Sequence, residues 1–180
     1  MSGLSGFAHI GAGVLLVFLA ACTPKYDWRT VQDTSAPYTV LLPAKPSSLT
    51  RTVNLGGIQA SMTMTAAEVD DVTFAVGTAE LADMDQARAA LAVMKDTMVR
   101  NIGGVILQEK NVADPAGLRI DVDAGPSTSA VPVARGGKTS ILHARFIVRG
   151  KRVYQVIAVG PAKTMRAEAV DTFLTSFKTE

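Results

Sequence analysis

The sequence predicts an α+β domain, an antiparallel β-sheet packed by two main α-helices. Three observations carry that prediction. Residues 58–65 alternate apolar and polar with a period of two, the mark of a strand buried on one face. Ala87, Ala90, Leu91, Met94, Met98 and Ile102 recur at intervals of three and four, the mark of an amphipathic helix. A long apolar hairpin pattern, Ser140–Val148 and Arg152–Val159, is followed directly by a second helical pattern.

Taken in order, Tyr38–Leu42 reads as a short strand closed by Pro43 and Pro46. Ile58, Ala60, Met62 and Met64 share one face of the next strand, with Gln59, Ser61, Thr63 and Thr65 on the other. Val72–Thr78 is its expected antiparallel neighbour, with Asp70 and Asp71 in the turn. Asp83 and Gln86 have the spacing of a capping box and set the start of the middle helix, and Gly103-Gly104 ends it. Val105–Leu107 and Leu118–Val122 read as further strands around a turn at 114–117. In the late hairpin, Leu142, Ala144, Phe146 and Val148 face one way and His143, Arg145 and Arg149 the other. The closing helix starts near Met165, and Ala169, Val170, Phe173, Leu174 and Phe177 form its stripe.

The opening PYTVLLPAKP, the middle helix, the hairpin RGKRVYQVIAVGP and the ending DTFLTSFK together resemble the PsbP and Mog1-like fold family and its bacterial envelope relatives. The likeness spans Pro37 to Lys178 in element order. It implies an accessory or binding protein, and it carries over no site residue because no site motif of the family is present.

The first 21 residues contain no Asp, Glu, Lys or Arg, and Ile10–Ala21 is an unbroken apolar and small run. Twelve helical residues reach roughly 18 Å against roughly 30 Å for a bilayer core, so the run reads as the core of an export signal. Its end, Leu19-Ala20-Ala21-Cys22, resembles the bacterial lipobox. That resemblance implies cleavage before Cys22 and acylation of its thiol. Cys22 is also the one cysteine of the chain, which leaves no partner for an intramolecular disulfide. Acyl chains contribute about 0.8 kcal/mol per buried methylene, so two or more hold a protein stably on a membrane. Thr23 stands where an Asp would favour inner-membrane retention, and the periplasmic face of the outer membrane is the expected address. The expected organisation is therefore a signal at 1–21, a lipidated tether at 22–37 reaching up to about 50 Å, and a domain at 38–180. Tyr26 and Trp28 in the tether suit either a headgroup interface or docking onto the domain.

Chemistry-bearing residues are few. Cys22 aside, the region after the signal holds one histidine, His143, and no cysteine, which excludes most triads and metal clusters. No cofactor and no metal ligand set is expected. Gly137-Lys138-Thr139 imitates the end of a phosphate-binding loop, but Pro132 stands where its first glycine belongs. Asp121 and Asp123 are two apart on a strand, on one face and about 6.6 Å apart along it, which admits an envelope hydrolase using paired carboxylates. A small-ligand carrier lined by the methionine and aliphatic face is a third reading.

Charge is divided along the chain. From Ala124 to Ala167 there are eight Lys or Arg and no acid, and from Glu68 to Asp123 eleven acids against five bases. A basic surface formed by Arg135, Lys138, Arg145, Arg149, Lys151 and Arg152 would attract an acidic envelope protein or an anionic surface. Alternatively, strands from the two segments pair and cancel one another. An exported chain has no access to nucleic acid, so nucleic acid is not an expected partner. The irregular stretch Ala124–Thr139, with Gly125, Pro126, Pro132, Gly136 and Gly137, is the expected contact loop.

Overall fold

The structure, a computed structural model, describes residues 25–114, 117–127 and 140–179. In chain order its elements are β1 (Arg29–Asp33), β2 (Tyr38–Leu42), β3 (Ser47–Leu55), β4 (Ile58–Val69), β5 (Val72–Glu80), α1 (Met84–Asn101), β6 (Val105–Asp114), β7 (Gly117–Gly125), β8 (Ser140–Arg149), β9 (Arg152–Pro161), α2 (Ala167–Ser176) and β10 (Lys178–Thr179). This is an α+β architecture with a large antiparallel sheet and two helices.

The main sheet has seven strands in the order β3-β4-β5-β9-β8-β7-β6. Two meanders, β3-β4-β5 and β6-β7-β8-β9, meet where β5 pairs with β9. The tight turns follow from the residues at them. Asp70 and Asp71 both take positive φ, as do Gly56 and Gly57, the conformation that a two-residue hairpin needs to match strand twist. Helix α1 runs from the end of β5 to β6 at the far edge and so covers one face of the sheet. Its start is fixed by Asp83, whose side chain accepts a hydrogen bond from the Gln86 amide at 2.8 Å. Ala87, Ala90, Leu91, Met94 and Val99 are buried, and they pack with Ala60, Met62, Ala144, Phe146, Val148 and Ile157 of the sheet. Gly77 lies opposite Met64 and Gln155, and a Cβ there would meet Met64 Sδ at 2.4 Å and Met62 Cε at 2.5 Å. The methionine and aliphatic face that a carrier would use is thus packed beneath α1.

The opposite face is covered by α2 and a second, three-stranded sheet, β1-β2-β10. Phe173 meets Phe74 edge-on at 5.5 Å, and Phe177 stacks on Tyr38 at 5.6 Å with Tyr154 against its edge. Burying one such phenyl ring contributes about 1.5–3 kcal/mol. Ser176 Oγ accepts from the Leu41 amide at 2.9 Å and ties the end of α2 to β2.

This second sheet draws in residues that the sequence reading placed in the tether. Arg29–Asp33 pairs along its whole length with Tyr38–Leu42, the Asp27 amide donates to the Pro43 carbonyl, and Tyr26 and Trp28 pack against the core beneath α2. The Asp33 carboxylate accepts from the Ser35 and Ala36 amides and closes the β1–β2 turn. The described structure thus includes Lys25, twelve residues before Pro37, and pairs from Arg29 onward. From Lys25 a fully extended chain reaches back to Cys22 over about 11 Å, in place of about 50 Å. Among the described residues no helix is long and apolar enough to cross a membrane.

Candidate functional site

Strands β7 and β8 are paired so that Arg119 lies opposite Ile147, Asp121 opposite Arg145, and Asp123 opposite His143. With a period of two, all six side chains project from the face that carries α2. Helix α2 packs on that face at β8 and β9, and the chain at its C-terminal end forms one wall of a cleft.

The cleft has a volume of about 310 Å³. Arg119, Arg145, Arg149 and Lys178 line it, with buried Ile147 and Phe177 as its apolar wall. Among the described residues no carboxylate lines it. Each cation is held by backbone pairing or by a polar contact. The Arg145 guanidinium donates to the Leu174 carbonyl at the end of α2, where the helix has an unmet acceptor and a partial negative charge. Arg149 Nε donates to Thr179 Oγ1 at 3.0 Å. Lys178 stands in β10, opposite Thr39 of β2. Burial, and after it the neighbouring charge of Arg119, pushes the Arg145 pKa below its ordinary value.

A second recess of about 210 Å³ adjoins it across Arg145 and contains Gln108, Lys110, Asp121 and Asp123. Asp121 is gripped by Arg119 through both oxygens, at 2.8 and 2.5 Å, and Arg145 Nε lies 3.6 Å away. Asp123 Oδ1 bonds to His143 Nδ1 at 2.6 Å. The two carboxylates that share a face by sequence are therefore engaged by different partners: Asp121 is a counter-ion to two guanidinium groups, and Asp123 orients an imidazole. Among the described residues no group of three or more His, Cys, Asp or Glu could hold a metal ion.

The six basic residues of the sequence reading separate. Arg145 and Arg149 enter the cleft. Lys151 and Arg152 both clamp Glu80 on β5, Lys151 at 2.6 Å, and the hydrogen bond and charge of Lys151 together with Arg152 lower the Glu80 pKa. Arg135 and Lys138, like most of the expected contact loop and like Cys22 itself, lie outside the described residues. Pairing of acidic with basic segments thus occurs at Glu80, Asp121 and Asp123, and the Asp121 pairing engages two of the cleft's cations, Arg119 and Arg145. Arg119 and Lys178 complete it, and the charge blocks of the sequence gave no sign of either. Arg119 sits inside the acid-rich segment and Lys178 lies past the basic one, and only the β7–β8 register and the return of β10 bring them together.

No protein-family model matches this sequence, and a search of curated proteins finds no match.

Proposed function

We propose that this chain is a lipid-anchored, non-catalytic module on the periplasmic face of the bacterial outer membrane that holds an acidic segment of an envelope protein in the cleft between β7–β8 and the end of α2. The observation that carries the binding reading is the lining of that cleft: four cationic side chains beside an apolar wall, Arg119 and Arg145 sharing Asp121 behind them. Side-chain carboxylates of a partner suit it, because guanidinium groups pair with carboxylates through two parallel hydrogen bonds. The apolar wall of Ile147 and Phe177 would take an adjacent aliphatic side chain.

The anchor rests on Leu19-Ala20-Ala21-Cys22, and the outer-membrane address on Thr23 after the cysteine. The resemblance to the PsbP and Mog1-like fold family is consistent with the α+β layering and implies the same accessory role. The engagement of Asp121 by two arginines weighs against the paired-carboxylate hydrolase, since a general acid or base needs a carboxyl group free to exchange a proton.

The test uses the Cys22→Ser chain and an oligoglutamate peptide as the acidic probe. Calorimetric titration is expected to show binding that weakens as salt rises, because attraction at the rim is screened over about 8 Å at physiological ionic strength. Arg119→Gln with Lys178→Glu is expected to abolish it, and Lys151→Ala to leave it nearly unchanged. Equal binding in the double variant, or none by the parent chain, overturns the proposal.

A further inference from the structure

The start of the described chain lies beside a crevice of about 360 Å³ at the other end of α2. Tyr26 and Trp28 form one side of it, their rings 5.7 Å apart and tilted by 32°. Arg166, Glu168 and Thr172 of α2 and its leading turn form the other, and Lys25 stands at the rim over the Tyr26 ring. Both aromatic rings are half-buried: one side packs on the core and the other stays open.

We infer that this crevice seats a zwitterionic phospholipid headgroup, so that the domain rests on the bilayer by its Tyr26–Trp28 face. The inference rests on the lipid anchor proposed above. If Cys22 carries the acyl chains, Lys25 follows three residues later, and no extended path between them exceeds about 11 Å. The surface around Lys25 is then within reach of the headgroups. Tyr and Trp are the side chains that favour headgroup depth, with an apolar ring and a polar edge. The charges around them nearly cancel: Lys25 pairs with Asp70, Arg29 with Asp27, and Arg166 shares the crevice with Glu168. That balance fits a headgroup bearing both a phosphate and an ammonium group, Arg166 taking the phosphate and Glu168 the amine, better than a purely anionic one.

The ten residues of α2 span about 15 Å, and the crevice and the cationic cleft lie at its opposite ends. Docking at the first would turn the second away from the membrane and toward a soluble partner.

Trp28 is the single tryptophan of the chain, so its fluorescence reports this face alone. The acylated full-length protein is placed in vesicles of phosphatidylethanolamine and phosphatidylglycerol in which part of the lipid carries bromine in the upper acyl chain. The expected result is a blue shift of Trp28 emission and strong quenching by the brominated lipid, both reduced by Arg166→Glu and by replacing phosphatidylethanolamine with phosphatidylglycerol. A ten-residue Gly-Ser spacer inserted after Thr23 is expected to leave most of the quenching in place, because docking and not the short chain holds the ring there. An acylated, vesicle-bound protein whose Trp28 is unquenched overturns the docking inference and leaves the anchor standing. Quenching that disappears with the spacer, or that is unchanged in Arg166→Glu or in phosphatidylglycerol alone, overturns the headgroup assignment. An unmodified Cys22 thiol, read by mass, removes the anchor itself and is distinguishable from all of these.

Discussion

Asp121 on β7 and Arg145 on β8 are direct cross-strand partners, and the Arg145 guanidinium reaches from that pair to the carbonyl of Leu174 at the end of α2. One arginine therefore joins the sheet's charge ladder to the helix that walls the cleft. Cross-strand ion pairs of this kind contribute only about 0.2–1 kcal/mol, so the larger consequence of the arrangement is positional. Asp121 keeps Arg119 and Arg145 together at the edge of the cleft.

Replacing Asp121 with Asn is expected to cost about 1 kcal/mol in stability, since both partners are partly solvated. The same change removes a negative charge beside the cleft, so the affinity for the oligoglutamate probe is expected to rise several-fold at low salt. A hydrolase that relied on Asp121 would instead lose its activity with this variant, and the two outcomes are read in one titration and one turnover assay.

The helix face is tested by Leu91→Ala. Leu91 is 1% exposed at the centre of the α1 stripe. Urea denaturation is expected to show a loss of about 2–5 kcal/mol from lost transfer energy and the cavity left behind. A neutral result would mean that α1 does not pack on the sheet through this residue.

Gly77→Ala probes the same layer from below. The added methyl would overlap the ends of Met62 and Met64 and the Gln155 stem. Those are flexible side chains, so the domain is expected to fold with a penalty of about 1–3 kcal/mol in denaturant. Shortening Met64 to Ala in the same chain should relieve part of it.

Glu80 at the acid end, and Tyr38 and Tyr154 at the alkaline end, contribute to the pH dependence. Glu80 has its pKa lowered from 4.5 by Lys151 and Arg152, so its contribution is present above pH 4.5 and is lost as pH falls through the folded value. Glu80→Gln is expected to flatten the acid limb of the stability profile slightly, because the pair is solvent-screened. Tyr38 has its pKa raised from 10.0 by burial, so its contribution is present below pH 10.0 and is lost as pH rises through the folded value. Tyr38→Phe is expected to shift the alkaline transition, read by circular dichroism, to higher pH.

Much of the fold is written locally. The middle helix, its Asp83 cap and its stripe, the strands expected at 58–65 and 72–78, and the late hairpin all follow from period and turn chemistry, because those signals lie within each element even where, as for the helix on Phe146 and Ile157, the packing partner is distant. Strand β3 is harder to read because it is an edge strand with almost every residue exposed, and Arg51 interrupts the alternation of Leu49, Val53 and Leu55 with Thr50, Thr52 and Asn54. Strand β1 holds one apolar residue, Val31, and its pairing with β2 comes with a second partner, β10, about 140 positions further along the chain. The cleft is hidden for the same reason. A count of charges along the chain groups Arg145 with Lys151, whereas the register groups Arg145 with Arg119 and sends Lys151 to Glu80.

The most direct test of the proposed binding role follows the arginine side chains themselves. In the Cys22→Ser chain, the Nε–Hε resonances of Arg119, Arg145 and Arg149 can be assigned by single substitutions and followed by NMR as oligoglutamate is added. The cleft reading predicts that these three move together with one apparent affinity, that Arg51 and Arg88 stay in place, and that high salt reverses the change. Shifts spread evenly over all the arginines, or confined to Arg152 beside Glu80, would contradict it.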